Sequence, residues 1–147
     1  MLSGAILGAL IGLIVVIVMN NMRQSAFKKI KNSLANERID YIVPAYHASA
    51  SRFKKSMKIY DSYGAIYIKG NKAYYQSNSS SMPLEFDITQ SDIVLEEKWR
   101  KLNWLSIASV VGNKEYFTSY KMGGFQNDSS ATLEAYEKLK QIKSQQR

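Results

Sequence analysis

Ala65-Ile66-Tyr67-Ile68-Lys69-Gly70-Asn71-Lys72-Ala73-Tyr74-Tyr75-Gln76 is the segment on which the fold turns. Two runs rich in β-branched and aromatic residues flank Gly-Asn, the signature of two antiparallel strands joined by a tight turn. The pattern continues downstream. Asn78-Ser79-Ser80-Ser81 reads as a loop before Pro83, and Leu84-Glu85-Phe86-Asp87-Ile88 alternates as a half-buried strand does. Asp92 to Glu96 reads as the next strand, followed by a charged turn around Lys98-Trp99-Arg100-Lys101. Trp104 to Val111 and Lys114 to Tyr120 are expected to pair across Gly112-Asn113, a second tight turn. Ser56 to Asp61 is expected to be the first strand. Seven of the ten tyrosines (Tyr60, Tyr63, Tyr67, Tyr74, Tyr75, Tyr116 and Tyr120) fall on these strands, where tyrosine is favoured.

Past Gly123-Gly124 and Asn127-Asp128 the period lengthens. Leu133, Tyr136, Leu139 and Ile142 form an apolar stripe of helical spacing, with Glu134, Glu137, Lys138 and Lys140 around it. Asp128, Ser129 or Ser130 can cap the start of this helix. The fold class is therefore α+β: six or seven antiparallel strands in a small barrel or bent sheet, closed by a C-terminal helix.

The other end of the chain belongs to a different solvent. Met1 to Met19, MLSGAILGALIGLIVVIVM, carries no charge, and Ser3 is its only polar side chain. Nineteen residues rise about 28 Å as a helix, which nearly matches a hydrocarbon core of roughly 30 Å. A cleaved secretory signal is the competing reading. No lysine or arginine precedes the run, however, and only the weak site Ser25-Ala26 follows it, so an uncleaved anchor is expected. Arg23, Lys28, Lys29 and Lys31 follow the span while nothing charged precedes it. That bias puts the N-terminus outside and the folded domain in the cytoplasm, as in a single-pass protein of a bacterial inner membrane. Gly4, Gly8 and Gly12 recur every four residues and make a groove without side chains, against which another helix, identical or foreign, can pack.

The sequence thus divides into a membrane helix (1–19), a basic juxtamembrane segment (20–43) and a folded domain (44–147). Of 20 basic and 12 acidic residues, nine basic and two acidic lie between Asn20 and Lys58, leaving the rest nearly neutral. Anionic lipid would attract this stretch by about 1 kcal/mol per basic residue near the surface. Met22, Ala26, Phe27, Ile30 and Leu34 form a stripe that extends the helix towards Asn36. That stripe either lies in the membrane interface or packs on the domain. A basic segment beside a membrane, with a neutral remainder, is not the footprint of nucleic-acid binding.

From about Pro44 to Ile142 the chain resembles the GRAM and bacterial pleckstrin-homology-like domains. The resemblance is carried by Ser62-Tyr63-Gly64-Ala65-Ile66-Tyr67-Ile68 with Asn71-Lys72, by Leu84-Glu85-Phe86-Asp87-Ile88 leading to Ser91-Asp92-Ile93, and by Lys114-Glu115-Tyr116-Phe117 before the closing helix. It implies a seven-stranded, partly open barrel capped by that helix, binding lipid head groups or proteins without catalysis. It also implies Arg52, Lys54, Lys55 and Lys58 as the basic residues nearest a head group.

Catalytic chemistry is scarce. The chain has no cysteine, which excludes disulfides, iron–sulfur clusters and thiol catalysis. Its one histidine would leave a zinc ion only carboxylates as further ligands. No G-x-S-x-G elbow surrounds His47, Ser49 or Ser51, and Gly123-Gly124 lacks the Lys-Ser/Thr of a phosphate loop. Glu96 and Glu97 point to opposite faces of a strand, and Asp87 and Asp92 read as solvated carboxylates able to approach across a turn. The expectation is a non-enzymatic membrane adaptor without a cofactor. Its helix-packing residues are Gly4, Gly8 and Gly12, and its anion-binding residues are Lys28, Lys29, Lys31, Arg52, Lys54, Lys55 and Lys58. A module that recognises anionic head groups is the alternative. A tethered domain gains little from weak lipid recruitment, whereas a protein partner benefits from the raised effective concentration.

Overall fold

The computed structural model describes residues 2–55, 60–80, 82–98, 102–124 and 126–146. One long helix, α1 (Leu2–Ser33), leads into a seven-stranded antiparallel sheet, and a second long helix closes the chain. The strands are β1 (Tyr41–Ser49), β2 (Ser62–Lys69), β3 (Lys72–Ser77), β4 (Leu84–Asp87), β5 (Asp92–Lys98), β6 (Leu102–Ala108) and β7 (Lys114–Ser119). A six-residue helix α2 (Ala50–Lys55) follows β1, and α3 is Ser129–Gln145. The sheet order is β4-β3-β2-β1-β7-β6-β5, so β1 is central and the sheet is bent rather than closed. The α+β class is the one the sequence predicts, and seven strands fall within the six or seven expected, although not every strand is one of those expected.

The expected hairpin is present. Gly70 turns with φ +62°, a conformation glycine adopts without a Cβ penalty, and the register runs from Lys69↔Lys72 to Gly64↔Ser77. Ile66 and Ile68 of β2 point to the main core with Val43, Ala45, Tyr75, Phe86, Leu105, Ile107 and Phe117. Leu139 and Ala135 of α3 close that core from one side. Phe53 of α2 packs with Trp104 and Tyr116 in a smaller aromatic cluster. Asp128 caps α3, its carboxylate accepting the Ala131 N–H at 3.1 Å.

Several boundaries differ from expectation for identifiable reasons. The domain begins with β1 at Tyr41, which sequence patterning leaves in the linker. Pro44 and the small residues Ala45 and Ala48 interrupt its reading as a strand. Pro44 is tolerated because β7 pairs with β1 only from Ala45 onward, so at Pro44 the strand has β2 alone beside it. Of the expected strand Ser56–Asp61, residues 56–59 lie outside the described residues, and Tyr60 and Asp61 are not in a strand. Residues 99–101 of the expected charged turn lie outside them too, while β5 extends through Lys98. Strand β6 ends at Ala108 rather than Val111. The register Ala108↔Lys114 leaves a five-residue loop, 109–113, where Val110 and Val111 are exposed. On α3 the buried residues are Thr132, Ala135 and Leu139, whereas Leu133 faces out.

Helix α1 runs unbroken through residue 19 to Ser33, and its C-terminal half lies along β2. The amphipathic stripe therefore packs on the domain. Ile30 is buried and Ala26, Phe27 and Leu34 are partly so, while Met22 stays exposed.

Gly64 is fixed by space rather than by φ. A Cβ there would run into the Gln76 carbonyl on β3. Gly64→Ala should destabilise the full chain by about 1–3 kcal/mol, the usual cost of overpacking a rigid site. Gly124→Ala, with open space around it, should be near neutral. Thermal unfolding in detergent checks this, and equal midpoints for the two variants would contradict it.

Candidate functional site

Arg23 joins α1 to the sheet. It is one of the four basic residues that follow the apolar run, yet only 8% of it is exposed. Its guanidinium donates to the Tyr46 hydroxyl and, through Nε, to the Met19 carbonyl at 3.3 Å. The charge also sits 5.7 Å and 5.9 Å from the centroids of the Tyr46 and Tyr120 rings. Such cation–π contacts contribute about 0.5–2 kcal/mol when partly desolvated. The Tyr120 hydroxyl donates to the Arg23 carbonyl at 3.3 Å and lies 3.4 Å from the Gly64 carbonyl, so it touches helix and sheet together. Tyr60 completes the nest by stacking on Tyr46, with centroids 4.0 Å apart. Burial pushes the Tyr120 phenol above its ordinary pKa although the Arg23 charge acts against it, so the ring is a neutral donor.

The direction of the chain at this junction places the rest of the site. Ile30 of α1 is close in sequence to the start of β1, while Arg23 reaches Tyr46 near the end of β1. Strand β1 therefore runs back towards the apolar part of α1. The registers His47↔Ser62, Gly64↔Ser77, Tyr75↔Leu84, Ser49↔Glu115 and Ala108↔Lys114 make three connections leave the sheet at that same end: 50–61, 78–83 and 109–113. Basic α2 and the exposed Met82, Val110 and Val111 belong to these connections.

The sequence-predicted residues are distributed as follows. Gly4, Gly8 and Gly12 lie on α1 with no heavy atom within 4 Å of the space a Cβ would fill. Lys28, Lys29 and Lys31 are exposed on α1. On α2, Lys54 is exposed, whereas Arg52 is engaged by Asp61 at 3.0 Å. The side chain of Lys55 and all of Lys58 lie outside the described residues. His47 faces inward between Tyr75 and Phe117, 2.6 Å from the Glu115 carboxylate. Asp87 accepts from the Thr89 hydroxyl at 2.6 Å and its N–H at 2.9 Å, at the opposite end of the sheet from His47. Glu96 pairs with Lys114 at 2.5 Å, and Glu97 is exposed. Among the described residues, no three His, Cys, Asp or Glu side chains come together as metal ligands.

Sequence reasoning counted Arg23 only as a flanking charge. Its signal was position: among the basic residues after the span it falls on the side of the helix that carries Ile30, seven residues or about two turns on. No protein-family model matches this sequence, and comparison with curated proteins finds no match either.

Asp61 ties the end of β1 to α2 and gives the site a pH dependence. Burial acts to raise its pKa, but the Ser49 N–H at 2.6 Å and the Arg52 guanidinium outweigh that and hold it below the ordinary carboxylate value. A depressed pKa contributes stability above the unfolded value, near 3.9, and loses it as pH falls through the folded value. The stability gap between the wild type and Asp61→Asn should be constant well above the unfolded carboxylate value, near 3.9, and close as pH falls below it. Unfolding midpoints measured across that range test this, and a gap that widens in acid would contradict it.

Proposed function

We propose that this chain is a non-enzymatic, single-pass membrane adaptor whose α1 crosses the bilayer and whose sheet domain is a PH-like binding module. The observation that carries the reading is the junction at Arg23, which makes a membrane-length apolar helix and a folded domain one continuous piece. A recruitment module needs a flexible tether, whereas a subunit of an assembly needs a fixed orientation. The strand order with a closing helix supports the PH-like reading. The described residues include an imidazole–carboxylate pair, His47 with Glu115 at 2.6 Å, but it is largely buried against Tyr75 and Phe117, which supports a structural role for the pair and a binding role for the domain.

The glycine face adds the partner. Gly12 and Ile30 are eighteen residues apart, five turns of a straight helix, so they lie on the same side of α1. A helix packed against Gly4, Gly8 and Gly12 would therefore sit beneath the sheet domain, which would overhang it. The partner is a membrane protein, with the domain's edge strands β4 and β5 available to its extramembrane part. Orientation follows the charge bias, with the domain in the cytoplasm of a bacterial cell. The basic residues of α1 and α2 would hold the domain against anionic lipid. Head-group recognition by Arg52, Lys54, Lys55 and Lys58 has less support, because Asp61 already engages Arg52.

The absence of cysteine makes the test direct. A single-cysteine variant Ser144→Cys should resist a membrane-impermeant maleimide in intact cells and react once the membrane is permeabilised. Cross-linking in native membranes should then trap specific membrane partners that vanish in the Gly4→Leu, Gly8→Leu, Gly12→Leu variant. Labelling at Ser144→Cys in intact cells would overturn the orientation, and partners that survive the leucines would overturn the helix-packing role.

A further inference from the structure

Between α1 and the end of β3 lies an open groove of about 870 Å³. Its α1 wall is formed by Val18, Met22, Ser25 and Lys29, which succeed one another by three or four residues and so share one helix face. The opposite wall is the end of β3 with the loop 77–80. That loop is held in place from within. The Ser77 hydroxyl accepts the Ser80 N–H at 2.9 Å and the Ser79 N–H at 3.3 Å, and the Gln76 amide donates to the Ser80 carbonyl. The wall is thus formed in advance of any ligand.

Two gradients describe the occupant. Among the described residues lining the groove, Lys29 is the charged one and the other polar groups are hydroxyls and amides. That chemistry suits a phosphate. Towards the N-terminus of α1 the wall becomes Met22 and Val18, both exposed and continuous with the apolar surface of the span. From Val18 to Lys29 the helix rises about 16 Å, enough to cross the interfacial layer and enter the chain region of one leaflet. A soluble anion would use only the upper part of this surface, while a phospholipid uses all of it.

We propose that this groove holds one phospholipid of the bilayer that α1 crosses. Its phosphate lies against Lys29 and the loop hydroxyls, and its acyl chains follow Met22 and Val18 into the membrane. The site is distinct from the basic residues of α2, and it rests on the membrane-anchored reading of α1. It would make a lipid part of the junction between helix and domain, seated beside the Arg23 contacts.

The test uses the full chain purified in detergent, with bound molecules counted by native mass spectrometry. The probes are phosphatidylglycerol, diacylglycerol (chains without phosphate) and glycerol 3-phosphate (phosphate without chains). One phosphatidylglycerol per chain should be retained, and neither partial probe should displace it. Lys29→Gln should weaken retention about tenfold, the scale of one charge-assisted hydrogen bond. Lys31→Gln, on the same helix but outside the groove, should change it less than about twofold. Equal retention by wild type and Lys29→Gln, equal loss in both variants, or full competition by glycerol 3-phosphate would overturn the site. Flotation of the wild type with phospholipid vesicles runs alongside. A chain that fails to float contradicts the membrane-anchored reading itself, whereas a floating chain without Lys29 dependence overturns only the lipid site.

Discussion

A buried arginine just past an apolar run is costly unless it is partnered, and Arg23 is held by two tyrosines and a backbone carbonyl. Desolvating a guanidinium costs several kcal/mol, which hydrogen bonds and ring faces must offset. Tyr46, Tyr120 and the helix's own Met19 carbonyl do so here. These partners come from different parts of the chain, α1, β1 and the residue after β7, so the contact forms only when helix and sheet are assembled. Ile30, about two turns further along, adds roughly 2 kcal/mol of apolar burial to the same contact. Helix direction and sheet direction are coupled through these residues.

The coupling fixes what the domain presents. Because β1 returns alongside α1, the three connections at its far end point the same way as the apolar helix. Exposed Met82, Val110 and Val111, together with basic α2, then lie on the side of the domain from which the apolar part of α1 extends, and β4 and β5 are the edge strands. The opposite end of the sheet is tied to the α1–β1 connection. The Lys69 ammonium meets Glu37 at 2.6 Å, and the Gly70 N–H donates to Asp40 at 2.8 Å. These exposed contacts are individually weak, but they span the only connection between α1 and the sheet and favour one arrangement of it.

Much of this fold was legible in the sequence because its strands alternate and its hairpin has glycine where φ is positive. Strands β2 to β5, β7 and α3 fall where patterning puts them. Three features were not legible. Strand β1 hides behind Pro44 and two alanines, since a strand with small inward residues and a proline lacks the alternation that marks the others. Strand β6 looked longer than it is, because Val110 and Val111 carry strand propensity but fall in the loop that the register leaves over. Arg23 looked like one flanking charge among four, and only the fold shows that its side of the helix is covered. Burial of a charge depends on partners distant in sequence, and no local pattern in a single chain encodes them.

The most direct measurement of the Arg23 junction is a distance distribution across it. Spin labels at single cysteines replacing Lys28 on α1 and Lys138 on α3 can be read by pulsed electron paramagnetic resonance with the chain in lipid nanodiscs. A rigid junction predicts one narrow distribution in the otherwise native chain and a broad one in Arg23→Ala. A broad distribution in both would show that helix and sheet move independently, and the fixed-orientation account of this protein would be wrong.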